Sequence, residues 1–160
     1  MRRVFTYELL DAGWARIRVE YGEKYYECVF SYLYDSMKEF SGAILKLHNR
    51  VKEASVSFMD EPGEFRILFH LDLNTGFVMV TCLWHDETYA CYNKVISEYK
   101  TMFMFKIKLY TLISNVFDIF DKTYIEYGEK GYGERWGAHP FPTENYLKLK
   151  SVMERIEYFN

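Results

Sequence analysis

A chain of 160 residues, 49% hydrophobic and 27% charged, has the make-up of a soluble globular domain, and three Trp, 15 Tyr and 13 Phe exclude a disordered, solvating chain. Twenty Lys and Arg against 23 Asp and Glu leave a net charge of −3 shared evenly by both halves. That balance excludes a basic nucleic-acid stripe and a polybasic membrane anchor.

Met1-Arg2-Arg3 leads into no signal-peptide core, because Thr6, Tyr7 and Glu8 interrupt the run from Val4 to Leu10. The most apolar stretch, Met102 to Phe120, carries Lys106, Lys108 and Asp118 and is too charged to span a bilayer. Cys28, Cys82 and Cys91 are odd in number and far apart, so no disulfide framework is expected and a reducing, cytoplasmic setting is the economical reading. Three prolines, no Gly/Ser-rich linker and no internal repeat give one domain over residues 1–160.

Trp14 to Tyr21 alternates: Ile17, Val19 and Tyr21 share one side, Arg16, Arg18 and Glu20 the other, which predicts a half-exposed strand. After Gly22-Glu23-Lys24, Tyr25 to Tyr34 predicts its hairpin partner. Asp35 or Ser36 then caps a helix whose apolar stripe is Met37, Phe40, Ile44, Leu47 and Val51. Ser55 to Met59 and Phe65 to Leu71 predict strands around Pro62-Gly63, the favoured central pair of a type II turn with φ > 0 at the glycine. Leu73 to Gly76 is a second turn, and Phe77 to His85, apolar on both sides, is a central strand covered on part of each face. Tyr92 to Lys100 is a further strand. Met102 to Tyr124 is a long helix, with Ile107, Tyr110, Ile113, Val116, Phe117, Phe120 and Tyr124 at helical spacing. An extended loop pinned by Trp136 and Phe141 follows, and Thr143 caps a last helix with Tyr146, Leu149, Val152, Met153 and Ile156 inward. The order ββαββββαα predicts an α+β fold, a mostly antiparallel sheet with helices packed on one face.

Three patterns carry candidate chemistry. Asp60, Glu61 and Glu64 gather carboxylates at a turn, suited to steering a basic partner or solvating a hairpin tip; the spacing is not that of a calcium loop. Cys82, His85 and Cys91 include zinc-ligand types but lack C-x-x-C spacing and a fourth ligand, and strand alternation makes Cys82 a buried small hydrophobe, so no metal and no cofactor is expected. His85-Asp86-Glu87 at a strand end, joined by His70 or His139, is the arrangement nearest to an acid–base site, although neighbours on a strand point apart. No phosphate loop, nucleophile elbow or H-E-x-x-H accompanies it. The tyrosine-rich hairpin around Tyr25, Tyr26, Phe30, Tyr32 and Tyr34 has acidic neighbours that repel phosphate, which favours cross-strand packing and protein contact over nucleotide stacking. In the loop from Gly131 to Pro142, Arg135 and His139 are held near the core in fixed positions, as a packed connector or a recognition loop.

Ser57-Phe58-Met59-Asp60-Glu61-Pro62-Gly63-Glu64-Phe65-Arg66 and Gly131-Tyr132-Gly133-Glu134-Arg135-Trp136-Gly137-Ala138-His139-Pro140-Phe141-Pro142 resemble a group of small uncharacterised bacterial proteins. That group pairs a D-E-P-G-E-aromatic-Arg hairpin with a W-x-x-H-P-F-P segment before a terminal helix, and the element order matches from Ser36 to Lys150. The resemblance transfers no catalytic residue. It implies a role as an immunity partner of a polymorphic toxin, since small proteins of this kind are often encoded beside such toxins. The leading expectation is a non-enzymatic binding protein with a protein partner, possessing Asp60, Glu61, Glu64, Arg135 and His139 as contact residues. The alternatives are a small hydrolase using His85, Asp86 and His139, or a ligand-binding or structural module.

Overall fold

The computed structural model describes residues 3–86 and 98–158. The elements run β1 (Phe5–Leu9), β2 (Trp14–Tyr21), β3 (Lys24–Ser31), α1 (Ser36–His48), β4 (Glu53–Met59), β5 (Glu64–Leu71), β6 (Phe77–His85), β7 (Lys100–Lys108), α2 (Leu109–Trp136) and α3 (Thr143–Tyr158). This is the expected α+β order ββαββββαα with an additional strand, β1, in front. All pairing is antiparallel, in a three-stranded sheet ordered β1-β2-β3 and a four-stranded sheet ordered β4-β5-β6-β7.

In the first sheet the period-2 pattern of β2 sends Ala15, Ile17 and Val19 into the core. It leaves Arg16, Arg18 and Glu20 on the outer face. β1 alternates in the same way, with Phe5 and Leu9 buried and Thr6 and Glu8 outward; the polar positions that interrupt its apolar run are its solvent face. In the second sheet the register Val56↔Ile67↔Cys82↔Phe103 aligns one buried row across all four strands. β6 is a central strand as expected. Val78, Val80 and Cys82 are buried on one face, while on the other Leu83 is covered and Phe77 is 37% exposed.

α1 starts where Asp35 Oδ1 accepts from the Lys38 amide at 3.3 Å. Met37, Phe40, Ile44 and Leu47 are buried on one stripe. Val51 does not extend that stripe: the helix ends at His48, Arg50 turns to φ 68, and Val51 is 45% exposed.

Two further expectations are corrected. Met102 to Lys108 belongs to β7 and not to the long helix, because Phe103, Phe105 and Ile107 are buried while Met104, Lys106 and Lys108 face outward, a period of two. Most of the strand expected over Tyr92 to Lys100 lies outside the described residues. The second correction concerns Gly131 to Trp136, expected as extended loop. α2 continues through it after an interruption at Gly128, whose φ of 62° and ψ of −175° suit glycine alone. Tyr132 and Trp136, four residues apart, are both fully buried. Burying two such rings, about 2–3 kcal/mol each, outweighs about 1 kcal/mol per helical glycine at Gly131 and Gly133. Gly137 ends the helix, with its amide on the Gly133 carbonyl at 2.8 Å.

The three helices touch one another, and α2 also reaches β1 and β7. Between the sheets, Phe30 packs edge-on against Phe58 at 4.8 Å and Trp136 at 5.6 Å. Trp136→Ala should cost about 3–5 kcal/mol in denaturant melts. Trp136→Phe should cost less, because the indole Nε1 it removes is buried without a hydrogen-bond partner among the described residues. Equal losses for the two variants would contradict this packing.

Candidate protein-binding surface

Four connections meet at one end of the molecule: 10–13 between β1 and β2, 32–35 between β3 and α1, 60–63 between β4 and β5, and 137–142 between α2 and α3. Hydrogen bonds lock them together. The Tyr32 amide donates to the Gly13 carbonyl, and the Gly13 amide to the Arg135 carbonyl, both at 2.9 Å. Arg135 Nη1 donates to Asp11 Oδ1 at 2.7 Å. His139 places Nε2 2.9 Å from the Tyr32 carbonyl and Nδ1 3.8 Å from the Asp35 carboxylate. Ser31 Oγ donates to Glu61 Oε1 at 2.8 Å. Tyr32 and Leu33 stand out from this scaffold, 42% and 60% exposed.

The acidic turn adjoins an aromatic shelf. Tyr26 packs on Phe65 at 4.8 Å and on Trp84 at 5.9 Å. Burial, aided by the charges of Cys28, Asp60 and Asp86, pushes its hydroxyl up to about 12. Trp84 Nε1 donates to Asp86 Oδ1 at 2.7 Å. Burial also raises the Asp60 carboxyl. The type II expectation is corrected: the left-handed residue is Glu61, at φ 41, and Gly63 is not left-handed. A glycine is needed there for room, because a Cβ would overlap the Trp84 ring.

The carboxylates expected to act together are separated by burial. Glu64 is 1% exposed and accepts from the Tyr99 hydroxyl at 2.6 Å, which leaves Asp60 and Glu61 at the surface. The histidines and carboxylate of the hydrolase reading occupy different settings: Asp86 on Trp84, the His85 ring edge-on to Tyr99 at 5.2 Å, and His139 on Tyr32 and Asp35. Glu87 and Cys91 lie outside the described residues. Cys82 is fully buried, and among the described residues no group of three or more His, Cys, Asp or Glu could hold a metal ion.

Tyr32 belongs to the tyrosine-rich hairpin whose composition favours protein contact, whereas Leu33 and Asp11 carry no sequence signal of a contact role. Tyr32 and Leu33 fall inside the strand expected over Tyr25 to Tyr34, but β3 stops at Ser31. The capping Asp35 is the available signal that the chain leaves the sheet just before it.

No family model matches the chain, and no curated protein matches its sequence. Among solved structures, the CdiA-CT/CdiI toxin and immunity complex from Enterobacter cloacae is similar over 73% of this chain and 99% of the matched chain, with 6% identity and a TM-score of 0.45. A likeness that loose carries no argument about this chain.

Two outcomes follow from the packing. Gly63→Ala should destabilise by about 1–3 kcal/mol through overpacking on Trp84; an unchanged midpoint in urea would refute the contact. Burial pushes the Cys82 thiol up to about 12 and the Cys28 thiol higher. The folded chain therefore keeps protons that the unfolded chain releases above about pH 9. This contribution is full at neutral pH and is lost as pH rises from about 9 through the folded values, so urea midpoints should fall from pH 8 to pH 10.5, by less in Cys82→Ala.

Proposed function

We propose that this chain is a non-enzymatic bacterial binding protein of the immunity type, which docks a basic protein partner on the end built from 10–13, 32–35, 60–63 and 137–142. One observation carries the reading. The two motifs of the resemblance, far apart in sequence, attach to adjacent residues: Glu61 to the Ser31 hydroxyl and His139 to the Tyr32 carbonyl. Residues shared for packing alone have no need to converge beneath an exposed Tyr-Leu pair.

The chemistry of the end fits a protein partner. Tyr32 and Leu33 offer contact area on a backbone already fixed by hydrogen bonds, so little entropy is lost on docking. Asp11, Asp35, Asp60, Glu61 and Asp86 outnumber Arg135 and His139, which favours encounter with a basic surface. Glu61 holds a left-handed conformation uncommon for a residue other than glycine. Such conformations cost of order 1–3 kcal/mol and cluster at functional sites. Of the five contact residues expected from sequence, this reading keeps Asp60, Glu61, Arg135 and His139 as contacts and drops Glu64, which is buried.

The test co-expresses the chain with candidate toxin domains and measures by stopped flow the pair that forms a complex. Asp60→Asn with Glu61→Gln should slow association several-fold at low salt and much less at high salt, with folding stability scarcely moved. Leu33→Asp should weaken the complex by about tenfold or more and abolish protection of cells expressing the toxin domain. A complex formed at unchanged rate and affinity by both variants would place the contact elsewhere.

A further inference from the structure

Three times in this fold a tyrosine ring, a guanidinium and a carboxylate come together. Arg18 lies over the Tyr25 ring at 4.1 Å and meets Glu20 at 2.9 Å. Arg135 lies over Tyr127 at 5.1 Å and meets Asp11 at 2.7 Å. Arg66 lies over Tyr99 at 5.8 Å, and the Tyr99 hydroxyl donates to Glu64 at 2.6 Å. The chemistry is common to all three: a negative ring face and a carboxylate suit a planar, weakly hydrated cation.

The shelf beside the 60–63 turn has the rings and the carboxylates, with no guanidinium of this chain over them among the described residues. Tyr26, on β3, rests on Phe65 at 4.8 Å and on Trp84 at 5.9 Å. Trp84 lies over Gly63 and is fixed by Asp86 Oδ1, which accepts from Nε1 at 2.7 Å. Both rings are half-buried, so part of each stays open to water while its position is already set.

Asp60 beside them is half-buried, and its carboxylate has no hydrogen bond and no ion pair among the described residues. Burial raises its carboxyl and no neighbouring cation lowers it. A partly desolvated charge without a partner is costly, and an incoming cation would relieve that cost. Asp86 spends one oxygen on Trp84 and is exposed. Asp60 and Asp86 both act on the Tyr26 hydroxyl, and no lysine or arginine does. Glu61 is a third carboxylate, bonded to the neutral Ser31 hydroxyl.

The cations of the neighbourhood do not cancel these charges. Lys24, two residues from Tyr26 on β3, and Lys100, opposite Trp84 on β7, are exposed and form no ion pair among the described residues. Arg66 follows Phe65 along β5, so it points to the other face of the sheet, toward Tyr99.

We propose that this shelf receives an arginine side chain of the partner, its guanidinium over the Tyr26 ring and against Trp84, with Asp60 and Asp86 as acceptors. The inference rests on the reading of the loop end as a docking surface for a basic protein, and it names the side chain that the 60–63 flank takes. Arginine is favoured over lysine because a planar guanidinium stacks on a ring and still presents donors at its edge to two carboxylates.

The experiment uses the full chain with 15N-labelled tryptophan and the blocked tripeptide acetyl-Gly-Arg-Gly-amide. At low salt the peptide should shift the Trp84 indole signal saturably, with a dissociation constant of about 1–50 mM, and leave that of the fully buried Trp136 in place. The citrulline tripeptide, similar in shape but uncharged, should leave Trp84 unmoved, and the lysine tripeptide should bind at least about threefold more weakly. Asp60→Asn should weaken the arginine tripeptide at least about threefold, and Leu33→Asp should not change it. The proposal is overturned if the arginine tripeptide leaves Trp84 unshifted at about 50 mM, if the citrulline or lysine tripeptide binds equally well, or if Asp60→Asn titrates like the parent chain. The peptide comparison needs no variant, so it decides the matter even where a substitution fails to fold. Failure here leaves the Leu33→Asp test of the loop end standing by itself. Arginine binding at Trp84, with every toxin-domain complex indifferent to Leu33→Asp, would instead keep this site and remove that reading.

Discussion

The contact on which the rest depends is the meeting of Phe30 with Phe58 and Trp136. Phe30 lies on β3 of the first sheet, Phe58 on β4 of the second and Trp136 at the end of α2, so one ring brings both sheets and the long helix together. Phe40 of α1 extends the cluster to Phe5, Phe58 and Phe69 at 5.7, 6.0 and 6.3 Å. Edge-on and offset rings of this kind add specific geometry to area burial, about 0.5–1.5 kcal/mol per pair. They fix the angle between the sheets, and through it the place where the connections 10–13, 32–35 and 60–63 come together.

A second consequence is that the aromatic richness visible in composition divides into two uses. Most of the phenylalanines are interior, whereas the exposed aromatics are largely tyrosines, among them Tyr21, Tyr25, Tyr32 and Tyr110. Tyr25 receives Arg18 over its ring at 4.1 Å and Tyr21 stacks on Phe105 at 4.5 Å, so both have intramolecular work. Tyr32 differs in that its backbone, through Gly13 and His139, carries the constraint, while its ring lies over Gly13 with one side open to solvent.

Strict alternation makes the fold legible where it occurs. β2 is readable because it alternates strictly, and β4, β5 and β6 because turn signals bound short strand-favouring runs, β6 being apolar on both sides. β7 is mistaken for helix because Ile107 and Tyr110 share a helical spacing across a strand-to-helix junction: with no polar break between Lys108 and Leu109, a local pattern cannot say where one period yields to the other. The glycines at 131 and 133 mislead for a different reason. Propensity is a local quantity, and it is overruled by the burial of Tyr132 and Trp136, which depends on a partner surface that only the folded chain supplies. Of the candidate site, the residues with marked composition are visible in the sequence, but their meeting point on the Ser31 hydroxyl and the Tyr32 carbonyl is not, because it joins segments distant in sequence through a common serine and a backbone group.

That meeting point also binds the site to the fold. Asp35 caps α1 through the Lys38 amide and faces His139 from the same carboxylate. Ser31, at the end of β3, holds Glu61, while Ser36 at the start of α1 donates to the Ser57 carbonyl of β4 at 2.6 Å. Altering Asp35 or Ser31 would therefore loosen a helix start or a strand end together with the surface, and a loss of binding in those variants would say little about contact. Tyr32 and Leu33 lie between these anchors with their side chains outward. The Tyr32 ring also covers Gly13, whereas removal of the Leu33 side chain leaves every hydrogen bond of the scaffold in place, which makes Leu33 the position at which recognition and folding separate.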